Sequence, residues 1–212
     1  ERKFSQFSCC IVTQIKKKEY EGDLIMAEKT VKAVEEVQVS AAEEVDALVK
    51  KGQVALEKFL QLDQEAVDYI VAKCSVAGLD NHGKLAKIAI DETGRGIFED
   101  KATKNLFACE YVVNNMRHLK TVGVISDDPV TGITEIADPV GVIAGITPVT
   151  NPTSTVIFKS LISLKTRNPI IFSFHPSAFE CSKAAAIVIR DAAVAAGAPE
   201  DCIQWIEHGS ME

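Results

Sequence analysis

At 212 residues, 47% hydrophobic and 25% charged, the chain has the make-up of a globular protein of one or two domains with room for a real core. A formal net charge of −7, with Lys16–Lys17–Lys18 as the one basic run, argues against a nucleic-acid or anionic-membrane partner. No apolar stretch reaches the roughly 20 residues that span a bilayer, and no signal-peptide pattern opens the chain, so a cytoplasmic protein is expected. The six cysteines (Cys9, Cys10, Cys74, Cys109, Cys181, Cys202) lack metal-ligand or disulfide-framework spacing, which suits a reducing compartment and predicts no metal site.

Residues 1–25 combine weak periodicity with a Cys pair and a charge cluster, and they run into Met26, a candidate native start; they are expected to be an extension that is non-native or disordered. The next region, 26–136, is expected to be helical with connecting strands. Ser40-Ala41-Ala42-Glu43 is a capping box, and Val45, Leu48, Val49, Ala55, Leu56, Phe59 and Leu60 recur at helical steps, predicting one long amphipathic helix. Asp63 is placed to cap a second helix (Glu65–Ala77), Asn81 a third (His82–Glu92) and Asp100 a fourth ending near Leu119, with Gly78, Gly94 and Gly96 as punctuation. Beyond Leu119, Val, Ile, Gly, Thr and Pro take over, and turns are expected at Asp127-Asp128-Pro129 and Thr131-Gly132.

From 137 to 212 the pattern alternates: strand Val140–Ile146, helix Pro152–Thr166, strand Pro169–Phe174, helix Ser177–Ala196, strand Cys202–Ile206. Continuous apolar runs and crossovers of this length predict a parallel β-α-β-α-β sheet with helices on both faces, the first part of a dinucleotide-binding domain. The fold class is therefore α/β: a helical region followed by an incomplete parallel sheet.

Ligands of such sheets bind at the carboxyl ends of the strands. There the loop Thr147-Pro148-Val149-Thr150-Asn151-Pro152 leads into a helix, with Thr150 or Asn151 as cap, Pro152 at the first turn, and free N–H groups at Thr153, Ser154 and Thr155 for a phosphate or a developing oxyanion. These same residues also suit a plain helix start. Ser173, His175 and Pro176 follow the second strand, where His175 is placed either to hydrogen-bond a ribose or to cap the next helix. Neither GxGxxG in this unit nor a Walker loop anywhere supports a standard Rossmann or ATPase reading. The cysteines beyond Cys10 fall in helices or a buried strand with no paired base, and Asp91, Glu92, Glu99 and Asp100 flank a glycine turn, so none receives a catalytic role.

The run Asp138 to Pro148, then Thr150 to Thr155 and Phe158 to Asn168, resembles the aldehyde dehydrogenase superfamily, and within it the N-terminal half of bifunctional acetaldehyde-CoA/alcohol dehydrogenases. Ala89–Gly96 and Glu99-Asp100-Lys101 through Lys104-Asn105 resemble that group's region before the sheet. The resemblance implies oxidation of acetaldehyde with CoA and NAD to acetyl-CoA and NADH, or the reverse during fermentation, through a cysteine thioester. Thr147, Pro148, Thr150 and Asn151 would line the nicotinamide and substrate side, with Thr150 and Asn151 as possible oxyanion or substrate contacts, and Ser173, His175 and Pro176 would lie near the ribose. Hydrolytic relatives read Pro-Trp-Asn-Phe-Pro here; this chain reads Pro148-Val149-Thr150-Asn151-Pro152, and it has Ser173 where they place a lysine, both of which point to the acylating branch. The catalytic cysteine, the oligomerisation segment and an iron-dependent alcohol dehydrogenase half would lie beyond Glu212. The chain alone is therefore expected to be an inactive fragment of an enzyme that forms homo-oligomers or filaments; a non-catalytic oligomerisation module is the alternative.

Overall fold

The computed structural model describes residues 41–207; the expected extension over 1–25 and the Ser40 cap lie outside them. A first helix, α1, covers 41–59, and the packing that follows belongs to the unit beginning at Val45. Asp63 caps the next helix as its sequence position demands: extended backbone at the cap lets its Oδ1 accept the Ala66 N–H at 2.9 Å.

That helix, α2, runs unbroken from Gln64 to Thr93, where two helices were expected. Asn81 does not cap a new helix but donates from Nδ2 to the Ala77 carbonyl one turn back. Gly78 is buried in mid-helix because another element passes too close for a side chain: a Cβ there would lie 2.5 Å from Cys109 Sγ. The true stop is Gly94 in the left-handed conformation, with its N–H on Ile90 O.

The expected helix from Asp100 to Leu119 is two pieces, α3 (Phe98–Cys109) and α4 (Tyr111–Met116), and Ile97 rather than Asp100 occupies the cap position. Asp100 and Glu99 instead sit in the first turn, where their charge favours the helix dipole.

Strands β1 (Gly123–Asp128) and β2 (Ile133–Ala137) form an antiparallel hairpin whose tip turns through Gly132 at positive φ. Asp128 organises the tip: its carboxylate takes the Thr131 hydroxyl and the Val130 N–H, and those bonds hold it below the usual aspartate value.

The alternation then follows: β3 (Ile143–Ile146), α5 (Pro152–Lys165), β4 (Ile170–Ser173), α6 (Phe179–Ala195) and β5 (Ile203–Trp205), each strand shorter than its apolar run. The sheet is parallel in the order β3-β4-β5, with Ile143 opposite Ile170 and Ile170 opposite Ile203. Sequential crossovers in this order share one hand as a rule, which puts α5 and α6 on one face, packed against each other. There Ile170, Phe172 and Ile203, all but inaccessible, pack with Val156, Ile157, Leu161 and Ile189, and each such burial stabilises by about 2 kcal/mol. α2 lies across both helices and α3.

On the opposite face Gln204 donates to Leu48 O of α1, and Gly52 brings that helix onto Val142. The expected two-sided cover is thus met over β5, while Ile146 of β3 stays 73% exposed. Arg167, at the end of α5 with φ 58°, is 4% exposed and spans the junctions, donating to Leu60 O and Ala137 O. No helix among the described residues is long and apolar enough to cross a membrane.

Candidate active site

The β3–α5 loop begins inside the sheet and ends on α3. Thr147 is 3% exposed, and its N–H extends the β3–β4 ladder by one bond to Ser173 O at 3.1 Å. Its hydroxyl is buried and has no hydrogen-bond partner among the described residues. Pro148 is exposed, and Val149 packs on the small cluster of Ala89, Ala178 and Cys181. Lys159 of α5 reaches back to Ile146 O at 2.7 Å.

Asn151 sits at the cap position, with Pro152 following in the first turn as expected, yet its side chain does not cap. The carboxamide turns to α3, where Lys104 Nζ donates to Oδ1 at 2.9 Å. One turn earlier on the same helix Lys101 Nζ donates to the Thr150 carbonyl at 3.0 Å. Thr153 gives its hydroxyl hydrogen to Asn105 Oδ1, and Asn105 in turn donates to His82 O. Lys101, Lys104 and Asn105, at i, i+3 and i+4, therefore form one face that grips the loop. Lys101 is 6% exposed; burial first, then the charge of Lys104, hold its ammonium below the usual lysine value, while Cys181 acts the other way.

The second expected cluster is simpler. Ser173 ends β4, and His175 Nδ1 accepts the Ser177 N–H at 3.1 Å, so His175 caps the short 3-10 turn Pro176–Ala178. Among the described residues the two clusters share only the bond between Thr147 N and Ser173 O. Glu92, read in the sequence as flanking a turn, reaches from the end of α2 to the start of α6 and accepts the N–H groups of Glu180 and Cys181 at 2.9 and 2.8 Å.

Cys74, Cys109, Cys181 and Cys202 are reduced and buried. Burial pushes Cys109 and Cys202 up to about 12; Cys181 also reaches about 12, through burial and then the Glu92 carboxylate, and Cys74 is raised further. None is a thiolate near neutrality. Native-state alkylation at pH 8 is accordingly expected to leave these four unmodified, and peptide mass spectrometry showing any of them labelled before unfolding would contradict their burial. The same raised values carry a pH dependence: their contribution to stability is full below about 9 and is lost as pH climbs toward 12. No group of three metal-ligating side chains exists among the described residues.

Two clefts lie away from the loop, one of about 580 Å³ between α2 and α4 and one of about 450 Å³ along the free edge of β3. The loop itself is an open wall: a strand end, a helix start and a lysine-bearing helix face.

A parallel three-stranded sheet with helices packed against it defines an α/β protein. The chain matches the Aldehyde dehydrogenase family over residues 18–211, and it belongs to that family. It is 69% identical over 187 residues to the aldehyde-alcohol dehydrogenase of Streptococcus pneumoniae, covering 88% of this chain and 21% of the relative, so it spans about a fifth of that protein's length. Among solved structures it is similar to an acetylating aldehyde dehydrogenase from Geobacillus thermoglucosidasius (TM-score 0.80, 44% identity, 82% of this chain and 38% of the other). It is also similar to Rhodopseudomonas palustris propionaldehyde dehydrogenase (TM-score 0.66, 31% identity, 78% and 38%).

Proposed function

We propose that this chain supplies one wall of the nicotinamide and substrate site of a CoA-acylating aldehyde dehydrogenase that interconverts acetaldehyde, CoA and NAD with acetyl-CoA and NADH. The observation that carries the reading is the Thr147–Thr155 loop, fixed from α3 at the carboxyl end of β3, in a chain this similar to aldehyde-alcohol dehydrogenases. The R. palustris relative was solved with bound CoA and an acylated cysteine, which supports the acylating branch.

The residues present fit the cofactor side. Among the described residues the buried Thr147 hydroxyl has no partner and the Asn151 carboxamide nitrogen makes no hydrogen bond. Thr147, Pro148, Thr150 and Asn151 would hold the nicotinamide and aldehyde end; Ser173, His175 and Pro176 would hold the ribose end. When bound, NAD supplies the hydride acceptor and CoA the thiol that collects the acyl group. This chain's residues contribute orientation and hydrogen-bond donors for the aldehyde oxygen as it gains charge.

The test is a chimera in which this sequence replaces the corresponding segment of the S. pneumoniae enzyme. CoA-dependent NADH formation from acetaldehyde is expected within a few-fold of the parent, and none from the 212-residue chain alone, whose four described thiols are buried. A folded but inert chimera would overturn the reading, as would turnover by the chain alone. Exposed apolar side chains on the hairpin, Ile133 and Ile136 at about 60% and Val130 at 92%, favour homo-oligomerisation as an added role, which light scattering reads directly.

A further inference from the structure

We propose that Lys104 is a positioning residue that sets which way the Asn151 carboxamide faces, with Lys101 doing the same for the peptide before it. The inference rests on the reading that Asn151 meets the aldehyde oxygen.

A carboxamide can sit in two orientations related by a half-turn, presenting either an acceptor or two donors in a given direction. An ammonium carries three donors and no acceptor. With Lys104 Nζ 2.9 Å from Oδ1, a flipped amide would set N–H against N–H and lose the bond, so the oxygen is held toward α3 and both Nδ2 hydrogens face elsewhere. Neither hydrogen is used within the described residues. Lys101 anchors the Thr150 carbonyl at 3.0 Å, and because C=O and N–H point in opposite directions within a trans peptide plane, the Asn151 N–H points away from α3.

Neither lysine pairs with a carboxylate among the described residues. Their charge is therefore not neutralised locally, and it polarises the amide and the peptide they grip, making the outward N–H groups stronger donors. The ligand this suits is a carbonyl oxygen on its way to becoming an oxyanion. Lys104 itself is exposed and stands behind the amide, so it acts through Asn151.

Three substitutions in the chimeric enzyme separate this role from a structural one. In Lys104→Glu the carboxylate accepts from Nδ2, turns the amide over and leaves an oxygen facing the substrate oxygen; kcat is expected to fall roughly 10- to 100-fold, with KM for NAD within about twofold. Lys104→Met, which frees the amide without reversing it, is expected to lose several-fold. Lys104→Arg restores the donor and is expected within about threefold of the parent. Melting temperatures should match in all three, since the side chain is exposed. Asn151→Ala serves as the reference. If it is damaged while the Glu and Met variants of Lys104 match the Arg variant, the positioning role is overturned and the reading of Asn151 stands. An Asn151→Ala enzyme with full activity overturns the reading itself and this inference with it.

Discussion

Asn151→Asp is expected to lower kcat/KM for acetaldehyde by about 10² to 10³ in the chimeric enzyme while leaving its melting temperature nearly unchanged. The two side chains are isosteric, so packing is preserved. Lys104 keeps an acceptor, and its hydrogen bond becomes an ion pair on an exposed side chain, worth only about 0–1 kcal/mol. What changes is the outward edge: two N–H donors become a second carboxylate oxygen. An oxygen that gains charge in the transition state would meet repulsion where it had met a donor. Steady-state kinetics beside thermal unfolding read both quantities. A variant within threefold of the parent in kcat/KM would remove Asn151 from the site.

The largest stability effect is expected at Gly78, and two opposing magnitudes decide its sign. Placing a side chain at a mid-helix glycine gains about 1 kcal/mol of helix propensity at best, with alanine. Against this, a Cβ at Gly78 lands 2.5 Å from Cys109 Sγ and 3.3 Å from Ile189 Cδ1, in a layer where both neighbours are fully buried. Overpacking of this kind costs about 1–3 kcal/mol for small insertions and more for larger ones. Gly78→Val, which adds two further methyls and a β-branched side chain, is expected to destabilise by about 3 kcal/mol, or roughly 6–12 °C in a body of this size.

The clash has one principal partner, which gives a control. Without Sγ the nearest Cys109 atom is its own Cβ at 3.8 Å, an ordinary contact. Gly78→Ala in a Cys109→Ala background is therefore expected to cost less than Gly78→Ala alone, with only the 3.3 Å contact to Ile189 Cδ1 left to relax. Denaturant unfolding of the four proteins measures the coupling, and additive effects would show that Cys109 is not what keeps position 78 bare.

What could be read in the sequence was local. Apolar runs bounded by glycine and proline located all three parallel strands to within three residues at either end, and Asp63 was legible as a cap because its partner is three residues away. The misreadings share a cause. Gly78 looks like punctuation until Cys109, more than thirty residues on, occupies the space its side chain would need. Lys101 and Lys104 resemble ordinary surface charge, since their partners lie 49 and 47 residues away. Only their spacing with Asn105 on one helical face hinted at a shared task. Asn151 had the right position for a cap and the wrong partner, because a lysine on another helix outbids the backbone N–H groups for its oxygen.

The Glu92 carboxylate bears on where a phosphate can go. Parallel α/β sheets commonly offer several helix N-termini along one edge, each with unpaired N–H groups and a partial positive charge. At α6 a fixed anion from α2 already takes the Glu180 and Cys181 N–H groups. A phosphate arriving there would meet like charge, with those two donors already taken. At α5 two lysines stand close by, and the described side chains place no carboxylate on the loop. By filling the α6 terminus with its own side chain, the fold withdraws that turn from any arriving anion, an exclusion written in electrostatics.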